Sequence, residues 1–192
     1  MINVTKTYLP DKSKFKGYVD RIYESGWLTN NGQFVQELEK RLAEYLGVKN
    51  LMVTANGTLA LQIAFRTLEM KGKVITTPFT FVATSSSLVW EGLFPVFADI
   101  DSGTFNITAE SINNKITGET TAILPVHVYG NPCNVQKIKE IADAYGLKVI
   151  YDACHTFGVT IKEIPVLNFG DLSVMSFHAT KVFNTIEGGA IV

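Results

Sequence analysis

Apolar and polar positions along the chain predict helices and strands in turn. Between residues 33 and 46 the apolar side chains recur every three or four residues, which is typical of an amphipathic helix, and Gly47 supplies a left-handed end. Further helices are predicted after Asn56 and over residues 82–91, 109–113 and 135–145. Short β-branched or aromatic runs predict strands at residues 51–54, 74–77, 94–98, 122–128, 149–151 and 172–177.

This alternation of strands and helices indicates the fold class. Strands that alternate with helices favour an α/β fold, in which a mainly parallel sheet is covered by helices on both faces. Residues 1–10 are predicted to be extended and irregular, and the turn-forming run over residues 26–32 is predicted to be an ordered loop.

Composition and charge exclude several classes of partner. The 17 basic and 18 acidic residues leave a net charge of -1, so bulk charge favours neither nucleic acid nor an anionic membrane surface. With 46% hydrophobic residues, the 192-residue chain can bury a sizeable core in one domain.

The cysteines and the N-terminus favour a reduced, cytoplasmic protein. Cys133 and Cys154 have no metal-ligand spacing and are too few for a disulfide framework, so no metal site is expected. The first residues lack a basic and then apolar leader, and no apolar run approaches the roughly 20 residues of a membrane span. Because the chain stops at Val192 inside an apolar, strand-like run, we also expect it to be truncated.

Lys181 is the candidate catalytic residue. It lies between the apolar run 172–177 and the run that begins at Gly189, among small or hydroxyl-bearing neighbours. Desolvation there would disfavour the ammonium form, and the free amine could attack a carbonyl and form a Schiff base. The alternative is a lysine in a surface loop, where most lysines lie.

A candidate phosphate site lies at Asn56, Gly57 and Thr58, where a strand gives way to a helix. Free backbone N–H groups and the positive end of the helix dipole would meet there, and the Thr58 hydroxyl would add a donor. The same residues could form an ordinary helix cap, since Asn and Thr are common caps.

Two other strand ends carry residues that could face a ligand. Phe79 and Phe81 follow a strand at the end where open α/β sheets bind ligands, so either ring could stack on a flat ligand or belong to the core. Asp152 ends the strand 149–151, where it could face the ring nitrogen of an electron-accepting cofactor or cap a turn.

The histidines and one tyrosine near these strand ends carry weaker signals. Taken alone, His155 is interpreted as a packed, hydrogen-bonded histidine. We also expect His127 and Tyr129 to pack near the end of the strand 122–128, and His178 to pack beside Lys181.

The segment Ser176-Phe-His-Ala-Thr-Lys181, followed by Glu187-Gly-Gly189, resembles the lysine motif of the pyridoxal-phosphate-dependent sugar aminotransferases of the DegT/DnrJ/EryC1/StrS family. The resemblance runs over nearly the whole chain. It implies that residues 1–192 are the large cofactor-binding domain of a fold type I aminotransferase, with a mainly parallel seven-stranded sheet. Residues 1–32 would then be an arm and loop bordering the active site, and a C-terminal small domain would be missing.

The resemblance also implies pyridoxal 5'-phosphate as the cofactor and gives each candidate a role. Lys181 would bond the cofactor, and Asp152 would keep its pyridine nitrogen protonated. Phe81 would stack on one face of the ring, and His155 would lie beside it. The phosphate would be held by Gly57, Thr58 and Ser176.

The implied reaction transfers an amino group from glutamate to a nucleotide-linked keto sugar, for amino-sugar and surface-polysaccharide biosynthesis. A homodimer with the active site at the subunit interface is implied as well. The N-terminal half is most similar to enzymes that act at C4 of dTDP-4-keto-6-deoxyglucose. Two alternatives stay open: a truncated, non-catalytic cofactor-binding domain, and a sugar dehydratase of the same family, against which Lys181 argues because those enzymes carry histidine there.

Overall fold

The computed structural model describes residues 2 and 6–192, and this part of the chain contains nine strands and six α-helices. The strands are β1 (Met52–Thr54), β2 (Lys73–Thr76), β3 (Phe94–Phe97), β4 (Thr120–Ile123), β5 (Lys148–Asp152), β6 (Thr160–Ile161), β7 (Ile164–Pro165), β8 (Leu172–Ser176) and β9 (Gly189–Ile191). The helices are α1 (Lys12–Ser25), α2 (Gln33–Leu46), α3 (Gly57–Thr67), α4 (Val82–Trp90), α5 (Ala109–Asn113) and α6 (Val135–Tyr145). Short 3-10 helices lie at Val128–Gly130 and Val166–Asn168.

Seven strands form one sheet in the order β1-β9-β8-β5-β4-β2-β3. The neighbours from β8 to β3 pair in parallel, whereas β9 runs antiparallel to both β8 and β1. Helix α4 joins β2 to β3 and α6 joins β4 to β5, and the shorter connection from β8 to β9 reverses the chain as a hairpin does. The prediction of a mainly parallel, seven-stranded sheet is confirmed.

Helices cover both faces of this sheet. On one face α3 and α4 pack on strand residues that include Val74, Ala122 and Ile150. On the other face α5 and α6 pack on residues that include Val149 and Tyr151. Successive residues of β5 thus point to opposite faces, as the period of a strand requires. The central strands are apolar on both faces and covered by helices, as predicted, whereas the edge strands β1 and β3 keep exposed residues such as Met52 and Phe94.

The predicted boundaries agree with the structure except where local geometry stops a strand. Helices α2, α5 and α6 have the predicted bounds. The predicted strand 122–128 ends as β4 at Ile123, because Pro125 has no N–H for a ladder and the chain then turns into a 3-10 helix. A single bridge between Val126 and Asp152 continues the pairing.

Helix α1 and the β6–β7 hairpin were not predicted. Helix α1 is capped by the Asp11 carboxylate, which accepts the Lys14 N–H at 2.9 Å, and it ends at Gly26 with φ 64°. Between Phe15 and Tyr23 its apolar residues recur every three or four positions, so the pattern of an amphipathic helix was present in the sequence, although none of the helix residues is buried. The predicted irregular segment 1–10 falls partly on residues 1 and 3–5, which lie outside the described residues; residues 6–10 form neither helix nor strand. No helix in the described ranges is long and apolar enough to cross a bilayer.

Candidate active site

One cavity of about 820 Å³ opens at the carboxyl ends of the parallel strands, where α/β sheets bind ligands. Its lining comes from the segments that follow β1, β2, β4, β5 and β8. All the predicted site residues line it: Gly57, Thr58, Phe81, Asp152, His155, Ser176 and Lys181. The sheet therefore brings together residues that are up to 124 positions apart, from residue 57 to residue 181.

The first turn of α3 forms one wall of the cavity. Asn56 caps the helix by accepting the Leu59 N–H at 2.8 Å, and the Thr54 hydroxyl donates to the Asn56 carbonyl at 3.0 Å. The N–H groups of Gly57 and Thr58 are in the first turn and have no intrahelical acceptor. The segment is thus a helix cap and, at the same time, a set of N–H groups beside a cavity, so the two interpretations of the sequence are compatible.

Glycine is required at two positions because this wall packs closely. A Cβ on Gly57 would lie 3.2 Å from the Ser176 Cβ and 3.4 Å from the Cys154 Sγ. A Cβ on Gly189 of β9 would lie 2.6 Å from the Asn56 carbonyl carbon and 2.7 Å from the Gly57 nitrogen, closer than Cβ atoms approach backbone. These glycines let β8 and β9 lie directly against the start of α3, which places Ser176 next to Gly57.

Asp152 is the buried acid of the cavity, with 7% of its surface exposed. The Thr84 hydroxyl donates to Oδ2 at 2.8 Å, and the Cys154 N–H donates to Oδ1 at 3.2 Å. The Thr84 hydroxyl also lies 2.7 Å from the hydroxyl of Thr80, which precedes α4. Thr80 thus helps to orient Thr84, and Thr84 orients the acid. Two donors fix the carboxylate plane, and both oxygens keep lone pairs for a further partner.

Thr84 is a site residue that the sequence did not reveal. It lies 68 positions before Asp152, on the first turns of α4, and its hydroxyl reaches the acid only because β2 and β5 are held in one sheet. The only available signal was its position one helical turn after Phe81, on the face that returns toward the strand ends.

The pKa values of Cys154 and His155, two neighbours of Asp152, are shifted from their usual values. Burial raises the pKa of the Cys154 thiol well above its usual value, and the adjacent Asp152 carboxylate raises it further, so the group stays a neutral thiol. Burial lowers the pKa of His155, and the positive charge of Lys181 lowers it further, while Asp152 acts in the opposite direction. His155 is therefore biased toward the neutral imidazole.

Lys181 lies on the β8–β9 connection at the edge of the cavity. The Phe177 N–H donates to the Gly188 carbonyl and the Ala179 N–H to the Ile186 carbonyl, each at 2.8 Å, so the two arms of the connection are hydrogen-bonded together. The Lys181 N–H donates to the His178 carbonyl at 2.9 Å. Within residues 2 and 6–192 no carboxylate forms an ion pair with its side chain. The partly exposed amine is held near the cavity without a fixed counter-charge.

His178, beside Lys181, is exposed and lines the cavity, so the expectation that it packs is wrong. Its Nδ1 lies 2.9 Å from the Thr180 hydroxyl, and its Nε2 lies 3.7 Å from a Glu187 carboxylate oxygen. These contacts connect the two arms of the loop that carries the lysine.

The cavity rim carries exposed rings. Phe81 leaves 73% of its surface exposed at the start of α4, and His155 is exposed on the β5 side. Tyr129 is also 73% exposed: it contacts neighbouring rings but does not pack in the core. It extends from a turn that packs closely against the His155 backbone. A Cβ on Gly130, the next residue, would lie only 2.8 Å from the His155 carbonyl oxygen.

His127 is fully buried, as expected for a packed residue. Its ring stacks on Tyr151 with centroids 4.6 Å apart, and its Nδ1 accepts the Cys133 N–H at 3.0 Å. Burial lowers the pKa of His127 to about 4, so the imidazole is neutral.

Comparison with known proteins gives this geometry a context. The family model described as the DegT/DnrJ/EryC1/StrS aminotransferase family matches residues 10–192. A dTDP-4-amino-4,6-dideoxy-D-glucose transaminase of Shigella dysenteriae is 56% identical over 191 residues, which is 100% of this chain and 52% of that protein. The chain thus spans about half the length of the curated relatives that it matches.

Solved structures agree over the same region. DesI, crystallised in the presence of its TDP-sugar product, superposes with a TM-score of 0.96 at 38% identity, covering 100% of this chain and 49% of that one. Spr1654 of Streptococcus pneumoniae in its PLP form superposes with a TM-score of 0.90 at 28% identity, covering 100% and 52%. The arrangement of strands and helices is therefore the one found in these aminotransferase structures.

Proposed function

The chain belongs to the DegT/DnrJ/EryC1/StrS aminotransferase family, and on this premise we propose that its cavity binds pyridoxal 5'-phosphate and that the whole protein is a nucleotide-sugar aminotransferase. The observation that carries the proposal is the convergence of a helix N-terminus, a buried carboxylate and a lysine on one cavity. The family and its solved relatives indicate this cofactor.

The phosphate end of the cofactor fits the wall formed by α3 and β8. Gly57 and Thr58 offer backbone N–H groups at the positive end of a helix dipole, which is a favourable place for a dianion. The close packing at Gly57 places the Ser176 side chain next to them. We assign these three residues to the phosphate.

The ring nitrogen fits Asp152. A carboxylate in a buried place is stable only with partners, and Thr84 and the Cys154 N–H supply two of them. A protonated pyridine nitrogen would supply a third. Phe81 at the start of α4 is assigned to one face of the ring, and His155 to a position beside it.

When bound, the cofactor supplies an aldehyde that condenses with amines and a ring that accepts electrons from the substrate carbon. Lys181 would hold this aldehyde, and its free Nζ would accept the proton that leaves the donor's α-carbon. Asp152 keeps the ring nitrogen protonated, and Thr84 holds Asp152 in place. The nearby Cys154 stays protonated and so adds no second negative charge.

We assign glutamate as the amino donor and dTDP-4-keto-6-deoxyglucose as the acceptor, with amination at C4, for surface-polysaccharide biosynthesis. The transaminase name of the Shigella dysenteriae relative supports this acceptor. In the same proposal residues 1–192 belong to the cofactor-binding domain, and residues 1–32, with helix α1 in the arm, border the site. The whole protein works in the cytoplasm, where the two free cysteines of this chain stay reduced.

A homodimer with the site at its interface is part of the proposal. Large apolar side chains are exposed on α4 and β3, with Trp90 81% exposed. The large apolar side chains that stay exposed to solvent in the single chain are Val82, Val89, Trp90, Phe94 and Phe97. A second copy could cover such a patch, which is the usual meaning of clustered exposed apolar surface. Sedimentation of the whole protein and of a Trp90→Glu variant tests this, since the variant should lower the measured mass.

The central experiment fixes the cofactor on the protein. The whole protein with added pyridoxal phosphate should become yellow, and borohydride should bleach the colour and leave the cofactor mass on the peptide that contains Lys181. Lys181→Ala should lose this mass, whereas Lys162→Ala, which changes a lysine on the β6–β7 turn, should keep it. Labelling of Lys181→Ala at the wild-type level would contradict the assignment.

Turnover distinguishes the two remaining alternatives. An aminotransferase consumes glutamate and dTDP-4-keto-6-deoxyglucose together and forms 2-oxoglutarate in equal amount. A dehydratase would release water from the sugar without net use of glutamate over many turnovers. A non-catalytic domain would bind the cofactor and do neither.

A further inference from the structure

Three aromatic rings form one cluster at the cavity rim, and they come from separate segments. The rings of Phe79 and Phe105 lie nearly parallel with centroids 5.3 Å apart. Tyr129 meets both at a steep angle, with centroids 6.3 Å from Phe79 and 6.2 Å from Phe105. Such edge-to-face and offset contacts are the preferred geometries of aromatic pairs. We call these three residues the aromatic platform.

The backbone of the aromatic platform is strained in two places. Phe105 has φ 61° and Tyr129 has φ 54°, the left-handed region that bulky residues rarely occupy. Bulky residues persist in this region only where the surrounding structure forces them, and such places cluster at functional sites. The strained backbone points to a use for the rings beyond filling space.

One buried side chain holds both strained segments. Asn106, only 4% exposed, accepts the Val128 N–H at 2.9 Å and donates to the Asn131 carbonyl at 3.0 Å. These bonds bracket Tyr129 on both sides, while Asn106 itself follows Phe105 in the chain. The buried side-chain amide of Asn106 thus fixes the two backbone segments that carry Phe105 and Tyr129.

The platform remains exposed although it is rigidly built. Phe79, Phe105 and Tyr129 are 38%, 39% and 73% exposed. Phe79 and Tyr129 line the same cavity as Lys181. They lie on the β2 and β4 side of the sheet, whereas the phosphate assigned to Gly57 and Ser176 lies on the β8 side. On these assignments the phosphate lies away from the platform, while Tyr129, parallel to His155 with centroids 6.4 Å apart, adjoins the position of the cofactor ring.

We propose that the aromatic platform, with Tyr129 as its most exposed ring, stacks the base of the nucleotide-linked substrate. The inference rests on the proposed function, because the sugar carbonyl must reach the cofactor near Lys181. The base is joined to that sugar through a diphosphate, so it lies farther out, at the rim. An aromatic ring there offers a face to any base.

The test compares two substitutions of Tyr129 in the cofactor-loaded whole protein. Tyr129→Leu removes the ring, and Tyr129→Phe keeps it. The probe is dTDP, with its Kd measured by calorimetry. We expect Tyr129→Leu to weaken dTDP binding about tenfold, because stacking on an aromatic side chain carries about that much affinity, and Tyr129→Phe to stay within about twofold of wild type. Because the side chain is mostly exposed, neither change should prevent folding.

The half-reaction with glutamate is the control, since it involves no nucleotide. Its rate, followed by cofactor absorbance, should be the same in Tyr129→Leu and wild type. Unchanged dTDP binding in Tyr129→Leu would overturn the proposal, and so would an equal loss in the glutamate half-reaction, which indicates a distorted site. Unchanged dTDP binding with a lower sedimentation mass would identify the platform as a contact between subunits instead. If wild type neither binds the cofactor nor reacts with glutamate, the proposed function fails before the platform is tested.

Discussion

The inner wall and the rim of the cavity differ in how completely one chain builds them. At the inner wall, Asp152 is buried with two hydrogen-bond donors, and Gly57 and Gly189 pack against neighbouring backbone. At the rim, Phe81 and Tyr129 each leave 73% of their surface exposed. The wall is finished by intramolecular packing, whereas the rim presents apolar surface that only another molecule can cover. Substitutions in the wall should therefore alter stability or chemistry, and substitutions in the rim should alter binding.

The largest effect is expected at the acid of the inner wall. Asp152→Asn should keep the cofactor bound but slow the glutamate half-reaction by about a hundredfold or more, because a neutral amide cannot hold the ring nitrogen protonated. Stopped-flow absorbance after mixing with glutamate measures this rate. Asp143→Asn changes an exposed carboxylate on α6 and should have no effect. A wild-type rate in Asp152→Asn would remove the acid from the mechanism.

The packing of the wall is tested at β9. Gly189→Ala should lower the free energy of unfolding by about 2–3 kcal/mol, since its Cβ overlaps the backbone of Asn56 and Gly57 and the strand must move. Urea denaturation measures the change. Gly118→Ala is the matched control, because nothing lies within 4 Å of a Cβ there. Equal stability of the two variants would show that β9 can shift freely away from α3.

The hydroxyl that orients the acid should matter less. Thr84→Val removes the donor to Asp152 while keeping the shape, and we expect a loss of about 1–2 kcal/mol in the free energy of unfolding, because a buried carboxylate loses a hydrogen bond. Ser86→Ala, at an exposed position on the same helix, is the control. If Thr84→Val were as stable as wild type, the acid would have found another donor.

The smallest effect is a gain, in the loop that carries Lys181. Ile186 has φ 70°, a conformation that a β-branched side chain tolerates poorly, so Ile186→Gly should raise the free energy of unfolding by about 0.5 kcal/mol after the entropy cost of glycine. Val182→Gly, in the same loop without a positive φ, should not stabilise. Thermal unfolding of both variants measures the change in stability. A lower melting temperature for Ile186→Gly than for wild type would mean that the contacts of the Ile186 side chain outweigh the backbone strain.

Local sequence was sufficient for elements whose signals lie within a few residues. The helix at Gln33–Leu46 has its predicted bounds because its apolar spacing and the glycine after it are both local. The phosphate-type segment at Asn56 was found for the same reason, since a cap and a strand-to-helix change are read over a few positions. Helix α1 was missed although its signals are local as well: its apolar residues recur every three or four positions, and Asp11 and Gly26 stand at its two ends.

Contacts between distant segments could not be predicted in this way. The bond from Thr84 to Asp152 depends on β2 and β5 lying in one sheet with only β4 between them. The exposure of Tyr129 depends on a left-handed turn that Asn106 stabilises from another loop. The residue type alone does not predict such a partner, because both threonine and tyrosine occur in cores and at surfaces.

The sequence by itself determined that strands alternate with helices, that the sheet is mainly parallel, and which strand ends carry a lysine, an acid and a glycine-led helix start. These are local properties, since periodicity and turn chemistry are encoded residue by residue. Only the tertiary structure decided that the three features share one cavity, that β9 turns back against α3, and that Thr84 and Asn106 support the site. Those facts follow from the order of strands in the sheet, which is set by the packing of the whole chain and by no single segment.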